Sequence, residues 1–316
     1  MTDKILTIIV PSYNIAKYVE SIVPHYIDDL LLSKISILFI DDGATDNTVF
    51  LLEKYSKKYP DSLHIVKKEN GGHGSVINYG VNLVKTKYFK VIDGDDWVDK
   101  EELIKLCDYL DSCDDDIVVS NFIYEFNDRS SLSNGFDKRL DFSYKIHLHN
   151  VTYKTSLWID NSIKVREKVF YEDSQYVLFP LEFAQSISYF DADVYHYRCD
   201  NPNQSVNPQQ QLKHKDDYVL VARDLCDFYQ RLKTDSKIDS ATKGFVIDNV
   251  VRIVFGAYEI CSSRGLPYKQ SVSMCKDLDK IFKPYKDIFK LINRRYKKIR
   301  YLRLFNYFGL RLYLRS

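Results

Sequence analysis

Short apolar runs alternate with stretches of helical spacing over the first part of the chain. Lys4–Val10 (KILTIIV) is β-branched, ends at Pro11 and predicts a buried strand. Ala16–Leu32 has helical spacing, and Ile35–Ile40 predicts a second strand. Asp46 caps a helix running to about Lys58, ahead of Pro60. Leu63–Lys67, Tyr88–Ile92 and Ile117–Ser120 predict three more strands, with helices over Ser75–Val84 and Asp99–Leu110. This order predicts an α/β fold, a mostly parallel sheet with helices on both faces. Gln211–Leu232, Ser240–Ser263 and Tyr268–Phe282 predict helices only, broken at Gly265-Leu266-Pro267 and Pro284. The expected division is a catalytic domain over 1–209 and a helical region over 210–316.

Composition narrows the class. The 316 residues are 45% hydrophobic and 28% charged, a globular balance. A net charge of +1 gives no overall basic field for nucleic acid. No apolar run approaches the roughly 20 residues that span a bilayer. Met1-Thr2-Asp3-Lys4 leads into a strand-like run and not a signal-peptide core, so a cytosolic chain is expected. The six cysteines form no C-x-x-C pair, which predicts reduced thiols and no zinc or redox motif.

The charge is unevenly placed. Nine of the 45 Lys and Arg follow Asp287, from Lys290 to Arg311 and Arg315, and no acidic residue does. Ile288, Ile292, Tyr296, Ile299, Leu302, Phe305 and Phe308 fall at helical spacing there. A basic amphipathic helix fits a peripheral contact at the inner face of a membrane. Docking of the apolar face on its own domain is the plainer reading. Both hold if only the cationic face meets lipid.

Ligands of open parallel sheets bind at the carboxyl ends of strands. The segments there are Pro11-Ser12-Tyr13-Asn14, Asp41-Asp42-Gly43-Ala44-Thr45-Asp46, Asn70-Gly71-Gly72-His73-Gly74-Ser75 and Asp93-Gly94-Asp95-Asp96-Trp97. Neither a dinucleotide glycine fingerprint nor a Walker lysine loop is present. Three carboxylates within Asp93–Asp96 repel one another, and a divalent cation bound to phosphate oxygens would relieve that. Alone, the triplet reads equally well as a solvated acidic turn with helix-capping aspartates. Trp97 and Trp158 read as packing residues, and His147, His149 and His196 show no metal-ligand spacing.

These segments, with Asn78, Gly80, Glu172-Asp173, Tyr197-Arg198 and Asn203-Gln204-Ser205, resemble the family-2 glycosyltransferases of GT-A, Rossmann-like fold. The resemblance covers about residues 4–206. It implies that Pro11 and Tyr13 wall the nucleotide base and that Asp41 accepts from the uracil imide. Asn14, Asn70, Gly72, His73, Asn78 and Gly94 would line the nucleotide-sugar site. Asp93 would face the ribose and donor sugar, and Asp95 would ligate Mn²⁺ or Mg²⁺. Asp173 would be the base, with Glu172 orienting acceptor or sugar. Arg198 and Ser205 would close over the diphosphate. The chain departs from the family pattern where Val76-Ile77-Asn78 replaces Ala-Arg-Asn, leaving His73 or a lysine to replace the missing arginine.

The residue types suit the chemistry. Displacing a nucleoside diphosphate builds negative charge that a metal and an arginine stabilise. One carboxylate can take the acceptor's proton. A single base and in-line displacement predict inversion. The expected enzyme moves a hexose or N-acetylhexosamine from a UDP-sugar to a glycan, lipid-linked or glycoprotein acceptor. Surface polysaccharide and teichoic acid synthesis are the expected settings. A homo-oligomer is open. A non-catalytic nucleotide-binding scaffold is the alternative. A sugar-nucleotide-forming enzyme would need a basic glycine-rich loop after strand one, and Pro11–Asn14 is not that.

Overall fold

The computed structural model describes residues 4–126, 129–132, 146–199, 204–263, 265–308 and 310. The Met1–Asp3 start, Asn203, Arg311 and Arg315 lie outside the described residues. The chain divides into two compact units, Met1–Lys168 with Glu172–Asn201, and Val169–Tyr171 with Pro202–Ser316.

The described strands of the first unit are β1 (Leu6–Pro11), β2 (Ile35–Asp41), β3 (Leu63–Lys67), β4 (Tyr88–Val91), β5 (Trp97–Val98), β6 (Ile117–Phe126), β7 (Arg129–Leu132), β8 (Val151–Lys154) and β9 (Ile187–Arg198). They form one sheet in the order β3-β2-β1-β4-β8-β6-β9-β5, with β7 beside β6. The pairs β1–β2, β1–β4 and β2–β3 are parallel, as the alternating pattern predicts. Beyond β4 the sheet becomes mixed. β8 inserts antiparallel to both β4 and β6. Its four residues, VTYK, are too few to show a period in the sequence. β9 runs parallel to β6 and antiparallel to β5, which hangs directly after the Asp93–Asp96 bend.

Alternation places helices on both faces. Leu6, Ile8 and Val10 of β1 join Val19, Ile22, Leu103 and Leu106 in one core. Ile9 faces the other side, against the helix His73–Val81. A Cβ built on Gly80 would stand 2.9 Å from Ile9 Cγ2 and 2.7 Å from Ile40 Cδ1, so that helix lies close on the sheet. The expected single helix over Ala16–Leu32 is broken. α1 (Ala16–Ile22) passes into a short 3-10 turn holding Pro24, and α2 (Asp29–Lys34) starts afresh. Pro24 cannot donate a helical hydrogen bond, and Asp28 Oδ1 caps the new start by accepting from Leu31 N at 3.0 Å.

α3 (Thr48–Lys58), α4 (His73–Val81), α5 (Lys100–Ser112), α6 (Thr155–Asp160) and α7 (Asp173–Leu178) are the other described α-helices of this unit. The second unit holds α8 (Pro208–Lys213), α9 (Lys215–Leu232), α10 (Ser240–Cys261), α11 (Tyr268–Phe282), α12 (Lys286–Arg295) and α13 (Lys297–Leu304). The basic tail is two helices, not one. Tyr296 leaves helical geometry at φ −109°, ψ 80°, and its ring stacks on Phe255.

Candidate active site

The parallel strands β1 to β4 deliver their four polar loops to one edge of the sheet. Local chemistry then ties the loops together. Asn14 sits at φ +54°, a geometry asparagine tolerates, and its Oδ1 accepts from Thr45 N at 2.8 Å. Asp46 accepts from Thr48 N and from Ala16 N, which stitches the loop after β2 to the helix after β1. Pro11 and Gly94 touch. A Cβ on Gly94 would come within 2.4 Å of Pro11 O, so only glycine lets the acidic bend lie against the end of β1. Tyr13 stands exposed at this edge, and Asp41 is buried, with Oδ1 accepting from Ala44 N at 2.7 Å.

Asp42 carries a structural role that its motif alone does not reveal. Its buried carboxylate accepts from Gly71 N at 3.0 Å, Gly72 N at 2.8 Å and Lys68 Nζ at 2.6 Å. Asn70 Nδ2 donates to the Asp42 carbonyl at 2.8 Å. The loop after β3 is thereby held on the loop after β2. Gly72 takes φ +80° to enter α4.

That turn aims His73 into the cluster. His73 Nδ1 lies 2.7 Å from Glu172 Oε1, and Nε2 lies 3.0 Å from Asp93 Oδ1. Asp173 Oδ1 stands 3.8 Å from Nδ1. Burial pulls the imidazolium down, but the hydrogen bonds and charges of Asp93 and Glu172 outweigh it and hold His73 well above its ordinary pKa. Two bridging acceptors fit a doubly protonated ring, since imidazolium donates from both nitrogens. Glu172 is 2% exposed on its residue surface, whereas the Asp173 side chain is 57% exposed at the start of α7. The Asp173 carboxyl lies beside the His73–Glu172 pair. Desolvation and the Glu172 charge push it up to about 7, against the opposing pull of His73.

Lys168 at φ +57° and Tyr171 at φ +75° bracket the short approach to Glu172. Gly74 permits the contact with α4. A Cβ there would stand 2.2 Å from Arg166 O and 3.1 Å from Glu172 Cγ. Gly74→Ala is expected to cost about 1–3 kcal/mol through overpacking, measured as a lower urea midpoint at unchanged slope. Asn78, predicted at the nucleotide sugar, is placed as a brace. Its Nδ2 donates to Val165 O at 2.9 Å and its Oδ1 accepts from Val165 N at 3.0 Å.

The acidic bend is backed by β9. Asp96 is fully buried; Tyr195 Oη donates to it at 2.6 Å and Arg198 N at 2.8 Å. Desolvation, then the charges of Asp95 and Asp93, raise Asp96 well above the carboxylate range. Arg198 Nε donates to Asp95 O at 2.9 Å, and its guanidinium lies over Trp97 at 4.8 Å. Trp97 in turn stacks on His196, while Trp158 is core, packed on Phe89, Tyr153 and Tyr176. Ser205 belongs to the second unit, where Tyr171 Oη donates to its carbonyl at 3.1 Å. Tyr195 and Asp42 escaped the sequence reading. The first lies on a strand whose pairing is nonlocal, and the second was visible only as part of Asp41-Asp42-Gly43.

Among the described residues, two groups bring possible metal-ligand atoms within 4.8 Å of one another: His73, Glu172 and Asp173, and Asp93, Asp96 and His149. His149, set aside on spacing, is thus close to the acidic bend, with burial pulling its pKa down to about 3. Neither group contains Asp95. In the first, His73 already bridges carboxylates; in the second, Asp96 is clamped by Tyr195 and Arg198. A hard cation needs only one or two carboxylates when phosphate and water complete its shell, so oxygen donors at Asp93 and Asp95 fit Mg²⁺ or Mn²⁺.

The family model for glycosyl transferase family 2 matches residues 7–164, half of the chain. The chain belongs to that family of glycosyltransferases. The uncharacterized glycosyltransferase EpsJ of Bacillus subtilis (strain 168) is 27% identical over 219 residues, 63% of this chain and 62% of EpsJ. The chain thus spans less than two thirds of that relative's length. S. aureus TarS matches at TM-score 0.65 and 17% identity, over 97% of this chain and 54% of TarS. Its 1–349 portion in complex with UDP-GlcNAc matches at TM-score 0.51 and 17% identity, over 91% of this chain and 92% of that one. The mannosyltransferase PcManGT from Pyrobaculum calidifontis, in complex with GDP-Man and Mn²⁺, matches at TM-score 0.54 and 15% identity, over 91% and 83%. At such identities these structures establish the GT-A fold.

Proposed function

We propose that this chain catalyses metal-dependent, inverting transfer of a hexose or N-acetylhexosamine from a UDP-sugar to an acceptor hydroxyl. The carrying observation is the juxtaposition of an open carboxylate, Asp173, with the His73–Glu172–Asp93 bridge. Nucleotide-sugar complexes of the two structural neighbours support the donor class. Asp95, with Asp93 beside it, would hold the divalent ion, which when bound offsets charge on the departing diphosphate. Pro11, Tyr13, Asp41 and Asn70 would receive the nucleoside, at the strand ends where such sheets bind ligands.

Asp173 takes the acceptor's hydroxyl proton as the acceptor oxygen bonds to the anomeric carbon. The bond from that carbon to the diphosphate oxygen breaks on the opposite side, and UDP leaves with the electron pair. One displacement inverts the carbon. His73 keeps Glu172 and Asp93 fixed across the reacting centre, in place of the arginine absent at Ile77. Glycans, lipid-linked sugars and glycoproteins are the acceptor classes, in surface polysaccharide or teichoic acid assembly.

The test is UDP release from a panel of UDP-sugars with Mn²⁺, followed by the anomeric configuration of the product by NMR. One UDP-sugar consumed with inversion supports the reading. Metal-dependent UDP binding by calorimetry without turnover of any donor favours the nucleotide-binding scaffold, and absence of metal-dependent UDP binding overturns both readings. Asp173 also sets a pH dependence. Its base form predominates above about 7, so kcat/KM is expected to fall with unit slope below that value and level off above it. A profile flat from pH 5 to 8 would remove Asp173 as the base.

A further inference from the structure

The end of the second unit carries a surface that sugar transfer does not use. α12 and α13 are anchored. Ile288, Ile292, Ile299 and Leu302 are buried, and Arg303 Nε donates to Asp279 at 2.7 Å. Tyr307 is buried too, its hydroxyl 2.8 Å from Asp279. This docking uses one face only. Lys286, Lys290 and Arg294 are exposed one turn apart along α12, and Lys297, Lys298 and Arg300 are exposed at the start of α13. Immediately after them Tyr301, Leu304, Phe305 and Phe308 are 49%, 67%, 64% and 83% exposed. Elsewhere among the described residues, large exposed apolar side chains such as Leu30 and Phe50 are scattered singly along the chain. Four within eight residues mark a contact surface.

Charge decides the partner. No acidic residue follows Asp287, so a second copy placed face to face here would set cation against cation. An anionic bilayer offers both halves of the match, phosphate headgroups for the cations and an apolar boundary beneath them for the aromatic and leucine side chains. We propose that α12, α13 and the Phe305–Phe308 turn dock this protein on anionic membrane surfaces. No helix among the described residues is long and apolar enough to cross a membrane, so the contact is interfacial. The inference stands apart from the sugar-transfer reading, because its readout is lipid binding.

The 316-residue protein is sedimented with vesicles of pure phosphatidylcholine and of phosphatidylcholine with about one third phosphatidylglycerol. Two variants run beside it, Lys297→Glu with Lys298→Glu and Arg300→Glu, and Phe305→Ser with Phe308→Ser. Circular dichroism and thermal melting verify their folding. Wild type is expected to bind the anionic vesicles at least tenfold more tightly than the neutral ones, and each variant to lose about tenfold on anionic vesicles. Raised salt weakens the wild type further. Failure to bind anionic vesicles overturns the proposal. So does equal binding to both vesicle types, or a lipid-free dimer that the Phe305→Ser, Phe308→Ser variant dissociates.

Discussion

Asp173→Asn is expected to reduce transfer by about 10³-fold, with UDP binding within about twofold of wild type. The amide keeps the size of the side chain at the start of α7 but accepts no proton. Its surroundings are tolerant of the exchange. The Asp173 side chain is open to solvent, and removal of its charge relieves repulsion from Glu172 and Asp93. Stability is therefore expected to hold or rise slightly, and an equilibrium urea titration beside the single-turnover rate separates the two effects. A variant within tenfold of wild type would move the base elsewhere in the cluster.

His73→Ala carries the second largest effect, about 10²-fold in kcat/KM, with a displaced pH profile. His73 is the cation that both Asp93 and Glu172 bind, at 3.0 and 2.7 Å. Its loss leaves Glu172 buried beside two further carboxylates with no bridging donor. His73 also pulls the Asp173 pKa down, so its removal lets that pKa rise above about 7 and moves the rising limb of activity to higher pH. The folded-state pKa of His73 is itself raised. Its contribution to stability is thus fully present below its unfolded value of about 6.5 and is lost as pH climbs through the raised value. His73→Gln keeps one donor and is expected to recover part of the rate. An unshifted pH limb in His73→Ala would show that the ring merely fills space.

The strands β1 to β4 and their loops were legible because local pattern and local pairing coincide there. Buried β-branched runs, each followed by a helix, leave a parallel order as the economical arrangement. The same reasoning stops at β8. Four residues with no period gain their place only by pairing with strands far away in the chain. β9 is similar, and with it Tyr195, which clamps Asp96 across about a hundred residues. Loop motifs marked the segments that meet at one edge of the sheet, but not which of their members tie those loops together. Asn78 and Asp42 have comparable polar groups, and both hold loop backbone through hydrogen bonds.

By itself the sequence determined the alternating α/β order, the polar and acidic loops at the strand ends, and the basic bias of the last thirty or so residues. Each is a matter of local spacing or of residue type. Tertiary structure alone decided that His73 meets Glu172 across 99 positions and Asp93 across 20. It also decided which apolar residues of the tail are buried and which stay exposed. Proton affinity and exposure depend on neighbours brought in from distant segments, and no period along the chain records those neighbours.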